Sequence, residues 1–263
     1  MKTVRQAVIV FLVAMSAHVV LADEAALKAR SWDVDSTPRE GLVYAPSSSE
    51  PAPVVFAFHG HGGTMNQASR SFRYHELWPQ AIVVYLQGLK TPGKLTDPEG
   101  KRAGWQHAVG DQGDRDLKFF DVVLESLKRD YKVDARRIYS TGHSNGGGFT
   151  YLLWTARGDT FAAVAPSSAA GRQFADGIRP KPVLHVAGEN DTLVKFEWQR
   201  TMMDRLLAVN QCEKEGTEFA PYCTLYPSKI DTPVALYIHP GTHKFPEEAP
   251  AVIVKFFKMF TKP

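Results

Sequence analysis

The stretch from Arg137 to Thr150, RIYSTGHSNGGGFT, constrains the chain more than any other. It begins as a short apolar and β-branched run (Ile138, Tyr139, Thr141), turns on closely spaced glycines, and continues into a helix-like FTYLLW. Gly142-His143-Ser144-Asn145-Gly146 fits G-x-S-x-G, the strand–turn–helix elbow that presents a serine hydroxyl at a strand end. A side chain at 142 or 146 would collide with the neighbouring strand or helix in so sharp a turn, and the serine itself is expected to hold a strained backbone. Five residues are a short pattern. The rest of the sequence must supply a base, an acid and donors for a developing anion.

The chain has 263 residues, 44% of them hydrophobic and 22% charged, enough to bury a large core in one domain. Its first 22 residues read separately. Lys2 and Arg5 form a positive n-region, Ala7 to Val20 is mostly apolar, and Val20-Leu21-Ala22 suits a cleavage site. This predicts a signal peptide over 1–22, cut before Asp23, and a single domain over 23–263. The alternative, a retained membrane anchor, calls for a longer apolar run of about 20 residues.

Loss of Lys2 and Arg5 takes the formal charge from +3 to +1. Basic residues are scattered, so nothing favours nucleic acid or an anionic membrane surface as a partner. In an exported protein Cys212 and Cys223 are expected to form a disulfide, which stabilises by roughly 3 kcal/mol on the chain-entropy model. A zinc site would need a second pair of soft ligands nearby.

The runs Pro53-VVFAF-His59 and Ala81-IVVYL-Gln87 are continuous rather than alternating, as in strands buried on both faces of a parallel sheet. Thr64 to Trp78 leaves room for a crossover helix between them. Ala25 to Arg30 reads as weakly helical, and Trp32 to Pro46 as an opening antiparallel hairpin. Gln87 to Asp111 is a long polar loop, of the kind that is often functional in a compact domain. Helical periodicity returns over Asp116–Tyr131, Glu197–Val209 and Ala249–Phe260. Further strands are expected at Phe161-AAVAP, Pro182-VLHVAG and Val234-ALYIHP. Strands alternating with helices over this length predict an α/β three-layer sandwich with a mostly parallel central sheet.

A serine hydroxyl needs a general base within hydrogen-bond reach, and that base needs an acid to orient it. Asp191 follows the strand VLHVAG and His243 follows VALYIHP, so both fall on loops after strands. Glu189 and His239 are the rivals, each nearer its strand end. Phe58-His59-Gly60-His61-Gly62-Gly63 follows the first buried strand, where backbone N–H groups could turn towards an acyl oxygen. The expected oxyanion donors are the N–H groups of His61 and Asn145, with Gly62 as the alternative to His61. A metal-binding reading of His59 and His61 lacks further ligands, and no phosphate-binding glycine motif is present, so no cofactor is called for. Trp105 and His107 are candidates for a substrate wall, with loop anchoring as the other reading of Trp105. His143 lines the elbow and is a further substrate-side candidate. His185 falls within a strand and reads as core.

Together these residues resemble the secreted α/β-hydrolase esterases grouped with polyhydroxybutyrate depolymerases and feruloyl esterases (carbohydrate esterase family 1 type). The resemblance runs from about Leu42 to the C-terminus, through HGHGG, YLQG, the Trp105 loop, RIYSTGHSNGGG, FAAVAP, GENDTLV and GTHKFP. It implies a Ser144–Asp191–His243 triad, an acyl-enzyme, and hydroxycinnamoyl or short hydroxyacyl esters as substrates. The family's Gly-Gly-His-x-Trp-Pro pattern is here Gly241-Thr242-His243-Lys244-Phe245-Pro246, which keeps an aromatic at Phe245. With no linker or polymer-binding module in the sequence, soluble or polysaccharide-linked esters are expected ahead of a solid polymer. A peptidase of prolyl-oligopeptidase type would use the same triad, and a non-catalytic binding protein on this scaffold is the reading from another class.

Overall fold

A computed structural model of the chain describes residues 26–263. The signal peptide predicted over 1–22 lies outside the described residues.

The continuous apolar runs become the middle of a ten-stranded sheet. In chain order the strands are β1 (Lys28–Val34), β2 (Thr37–Tyr44), β3 (Ala52–Phe58) and β4 (Ile82–Leu86). After them come a two-residue ribbon, β5 (Leu89–Lys90) and β6 (Ala103–Gly104), then β7 (Val133–His143), β8 (Ala163–Ser167) and β9 (Val183–Gly188). β10 (Thr217–Ala220), β11 (Cys223–Tyr226) and β12 (Val234–His239) complete the set. The order across the large sheet is β1-β2-β4-β3-β7-β8-β9-β12-β11-β10. The six strands from β4 to β12 run parallel, with antiparallel pairs added at both edges. Every residue of β3, β4, β8 and β9 is buried, as two covered faces require.

The helices are α1 (Met65–Phe72), α2 (Tyr74–Leu77), α3 (Arg115–Asp130), α4 (Asn145–Arg157), α5 (Phe196–Val209) and α6 (Ala249–Phe257). The sheet divides the core in two. Val54, Phe56 and Phe58 of β3 meet α3, α4 and α5 through Phe120, Phe149 and Met203. Val55 and Ala57 point the other way, to α1, α2 and α6 through Phe72, Tyr74 and Ile253.

The chain steps outward from β3 to β4, then returns to lay β7 against the other side of β3. Such a reversal opens a crevice at the carboxyl ends of the two strands, where α/β sheets place their ligands. The His59–Gly63 turn and Ser144 leave the sheet at that point.

Three expectations differ from the structure. The segment read as weakly helical enters β1 at Lys28, where Trp32 and Val34 bury alternate positions against the sheet and its pairing with β2 overrides helix propensity. The 87–111 loop contains the β5–β6 ribbon and is tied internally by Asp97, as described below. Cys212 and Cys223 are both free, not disulfide-bonded. Cys212 packs against the cluster on the α3/α4/α5 face, whereas Cys223 belongs to the cluster on the opposite face. Nearness in sequence did not bring the two sulfurs together, because Cys212 follows α5 on one face of the sheet and Cys223 opens β11 with its side chain on the other.

Candidate active site

The elbow is built on backbone contact. Ser144 sits at φ 56° and ψ −119°, between the last residue of β7 and the first of α4. A Cβ at Gly142 would lie 2.5 Å from the Gly146 carbonyl oxygen, and one at Gly146 would overlap the carbonyl of Phe58. β3, β7 and α4 can approach this closely only through glycine. The Ser144 N–H donates to the Ser167 carbonyl at 2.8 Å, which ties the turn to β8.

His243 Nε2 lies 2.8 Å from Ser144 Oγ, and His243 Nδ1 lies 2.8 Å from Asp191 Oδ2. Asp191 is buried and also accepts the N–H groups of Leu193 at 3.0 Å and Val194 at 2.9 Å on Oδ1. With Asp191 accepting at Nδ1–H, the Nε2 lone pair faces the serine hydroxyl. The rivals stand apart. Glu189 is exposed and bonds through its backbone to the His239 carbonyl. His239 Nδ1 accepts the Gly241 N–H at 3.1 Å, and burial lowers the affinity of its ring for a proton.

Among the described residues, the backbone N–H groups of His61 and Asn145 have no hydrogen-bond acceptor, and both residues line the same cavity as Ser144. The Gly62 N–H is committed to the Ala103 carbonyl at 2.7 Å, which removes it from the choice of donors. The turn is held from behind by side chains. His61 Nε2 pairs with Asp97 Oδ2 at 3.0 Å, and Asp97 also accepts the N–H groups of Lys101 and Arg102. The hydrogen bond from His61, aided by those from the backbone, holds the Asp97 carboxyl down at about 2. His59 donates from Nδ1 to the Gly60 carbonyl and accepts the Gly88 N–H at Nε2. Burial lowers it to about 4, so this ring is a neutral structural element with neither nitrogen free for a metal.

The Asn145 side chain has a role beyond that of its backbone. Its Oδ1 accepts the Trp105 N–H at 2.6 Å and its Nδ2 donates to the Trp105 carbonyl at 3.1 Å. Trp105 itself corrects an expectation. It is fully buried, donates from Nε1 to the His59 carbonyl and stacks on Phe149, so its ring anchors the long loop and does not wall a cavity. Gln106 beside it accepts the N–H groups of Asp116 and Leu117 at the start of α3. Asp116 in turn pairs with buried Arg39 at 2.8 Å.

A cavity of 230 Å³ opens at Ser144, with Leu95, Leu193, Val194 and Trp198 as apolar walls and His107 at its margin. Ser168 lines it with a buried hydroxyl that has no partner among the described residues. His143 does not border this cavity. Its ring lies against His243 and Phe245, at centroid distances of 5.0 and 5.6 Å, on a separate groove, and burial with His243 nearby lowers it to about 3.

Sequence reasoning missed the support behind Asp191. Gln199 on α5 donates from Nε2 to Asp191 Oδ2 at 3.1 Å and to the Val194 carbonyl at 2.7 Å. His185 on β9 reaches Gln199 Oε1 at 3.3 Å through Nε2 and the Tyr151 hydroxyl at 2.7 Å through Nδ1. A glutamine inside a helical run carries no motif, and His185 had only its strand position to mark it.

No family model matches the chain. In sequence it is 27% identical over 203 residues to a bifunctional acetylxylan esterase/xylanase from Neocallimastix patriciarum, covering 76% of this chain and 28% of that protein. It is also 27% identical over 184 residues to a probable feruloyl esterase C from Aspergillus flavus, covering 67% and 63% of the two chains. With feruloyl esterase D from Neurospora crassa the identity is 31% over 126 residues, covering 47% and 42%. The matched part is thus less than two thirds of the length of each of these relatives. In structure, a ferulic acid esterase superposes with a TM-score of 0.63 at 13% identity, covering 89% of this chain and 98% of the other. A thermostable esterase gives 0.61 at 18% identity, covering 90% and 63%. The chain has the α/β-hydrolase fold, and its curated relatives are feruloyl esterases and an acetylxylan esterase.

Proposed function

We propose that the protein is a serine carboxylic-ester hydrolase that works through an acyl-enzyme on hydroxycinnamoyl or short-chain esters, either soluble or linked to polysaccharide. The observation that carries this reading is the hydrogen-bonded line from Asp191 through His243 to Ser144, with two unsatisfied N–H groups beside the serine. Ser144 Oγ attacks the ester carbonyl as His243 Nε2 takes its proton. The oxyanion forms against the N–H groups of His61 and Asn145, donors that act most strongly where charge develops. His243 then hands the proton to the departing alkoxide, leaving the acyl group on Ser144. Water, activated by the same imidazole, releases the acid. Asp191 keeps the Nδ1 tautomer and stabilises the imidazolium in both halves.

The apolar cavity at Ser144 suits an acyl chain or aromatic ring. The relatives named as feruloyl and acetylxylan esterases point to plant cell-wall esters as the substrate class. The n-region, apolar run and cleavage site over 1–22 support export. Among the described residues no helix is long and apolar enough to cross a membrane. Turnover of p-nitrophenyl acetate, methyl ferulate and a peptide amide by wild type and Ser144→Ala tests the reading. Ester cleavage lost in Ser144→Ala is expected. Equal rates for the two proteins would sink the proposal, and cleavage of the amide alone would turn it to a peptidase.

A further inference from the structure

Gln199 has two amide hydrogens, and both are assigned: one to the Val194 carbonyl, one to Asp191 Oδ2. Its Oε1 is then an acceptor, which requires a proton on His185 Nε2. That leaves His185 Nδ1 as a lone pair, able only to accept the Tyr151 hydroxyl. Every direction in the series is fixed by the one before it. Tyr151 O–H points to His185, His185 N–H to Gln199, and Gln199 N–H to the carboxylate oxygen that also holds His243. Tyr151, His185 and Gln199 are all fully buried, so no water competes for these bonds. The series starts on α4, two turns beyond Ser144, crosses β9, and ends on α5.

We infer that Gln199 is a positioning residue for Asp191, and that His185 and Tyr151 fix the orientation of its amide. This inference rests on the proposed serine-hydrolase reading for its kinetic consequence. Asp191 Oδ2 must present one lone pair to His243 Nδ1, and the N–H from Gln199 occupies the other. Without it Oδ1 stays tied to the Leu193 and Val194 N–H groups but Oδ2 is held by His243 alone, and the imidazole loses part of the alignment that keeps its Nε2 on Ser144. A fully satisfied buried polar network rigidifies what it touches, whereas a broken one leaves an unpaired polar group.

The test is a double-mutant cycle with Gln199→Met and Asp191→Asn in the full chain. Gln199→Met is expected to lower kcat by about tenfold or more with KM little changed, and to have no further effect once Asp191 is asparagine, as residues acting as a unit behave. Proton NMR of the His243 Nδ1–H gives a reading that needs no turnover: its far-downfield resonance should shift or broaden in Gln199→Met. Gln199→Glu keeps the shape and covers the case in which methionine fails to fold. Its rate relative to wild type should fall as pH rises and the glutamate ionises opposite Asp191. Additive losses in the cycle, or an unmoved Nδ1 proton, would overturn the inference. Wild-type protein that turns over no ester would overturn the hydrolase reading instead, and the NMR comparison would still decide the role of Gln199.

A second groove carries a separate inference. It has a volume of 930 Å³, is lined by His243 but not Ser144, and runs past Arg70, Arg73 and Lys244, with Glu247 as its one acid. None of the three cations has an ion-pair partner among the described residues. His239 borders the groove with Nδ1 occupied by the Gly241 N–H, so its buried Nε2 is a proton donor without an acceptor. The base must protonate the leaving oxygen, so the alcohol lies on the His243 side. We infer that this groove takes alcohols bearing a carboxylate, such as a uronate sugar, and this too rests on the hydrolase reading.

Carboxymethyl ferulate and ethyl ferulate share an acyl group and differ in the charge of the alcohol. Wild type should prefer the carboxymethyl ester several-fold in kcat/KM at low salt, and the preference should shrink with added salt. Arg70→Gln with Arg73→Gln should bring the ratio towards one. A ratio at or below one in wild type, or one unmoved by the double substitution, would overturn the assignment. Should neither ester be cleaved, the hydrolase reading fails. NMR titration with galacturonate against galactose then decides the groove, where equal perturbation by the two sugars would count against it.

Discussion

The two halves of the site are held in place by different means. Ser144 is fixed by backbone against backbone: Gly142 and Gly146 let β3, β7 and α4 meet at distances no side chain permits. Asp191 and His243 are fixed through their side chains: Asp191 accepts the backbone N–H groups of Leu193 and Val194 and the amide of Gln199, with buried residues behind it. The first arrangement is local in sequence and tolerates almost no change. The second is assembled from α4, β9, α5 and the loop after β12, and can lose a member while the chain still folds. The contrast predicts that substitutions of the glycines in the first half act on folding, and those in the second on rate.

Gly146→Val should have the largest effect. Its side chain would meet the carbonyl oxygens of Phe58, the last residue of β3, and of His59 just after it, which cannot retreat without parting β3 from α4. The expected outcome is insoluble protein, or soluble protein without a cooperative melt by circular dichroism. A folded, active Gly146→Val would mean that the backbone half is as adaptable as the other.

Asp191→Asn should fold, because the amide keeps the volume of the carboxylate and its oxygen can still accept the Leu193 and Val194 N–H groups. Its kcat should fall by about 10⁴-fold as the imidazole loses its correct tautomer. Kinetics on methyl ferulate beside a melting curve would check both claims. An unchanged rate would leave His243 without an acid, since Glu189 is exposed and bonds elsewhere.

Asn145 uses both means of support, as its backbone lies in the elbow beside Ser144 while its side chain spans the backbone of Trp105. Asn145→Ala keeps the N–H and strands both Trp105 groups, at a cost of about 1–3 kcal/mol for such a buried loss. We expect a lower melting temperature and a kcat reduced by about tenfold or more, since the cost of a misplaced loop falls on geometry at the oxyanion. Full activity would show that the His61–Asp97 pair alone holds the loop.

The same division decided what the sequence revealed. Glycines forced by steric contact recur as a pattern, so the elbow and the His61 turn could be read directly from residues 58–63 and 142–146. Asp191 and His243 were readable because strands end in loops and the chain order of the fold is fixed. Gln199, His185 and Asn145's grip on Trp105 depend on which helix face meets which strand end, a property of tertiary packing with no local signature. For Trp105 the sequence allows both a substrate wall and a loop anchor, and its enclosure by Phe58, His59 and Phe149 favours the anchor. The cysteine pair misled, since the spacing says nothing of which face of the sheet each sulfur meets.

Histidines buried behind both halves give the smallest and most discriminating effect. Burial lowers His59 and His185 to about 4, against an unfolded value near 6.5. Between those values the unfolded chain binds protons that the folded rings refuse, so stability must rise with pH across this window. The contribution is complete above about 6.5 and is lost as pH falls towards 4, at up to about 1.4 kcal/mol per pH unit for each ring. Carboxylates such as Asp97, held at about 2, lose their contribution only below the ordinary carboxylate range, which leaves the window to the histidines. Urea denaturation at several pH values between 7.5 and 4.5 should therefore show a slope, and His185→Phe should reduce that slope by one ring's share. If His185→Phe left the slope unchanged, the folded ring would take up its second proton as readily as the unfolded one. Protonated, its Nδ1 would donate to the Tyr151 hydroxyl and reverse that one bond, while the bonds from His185 to Gln199 and from Gln199 to Asp191 would keep their direction.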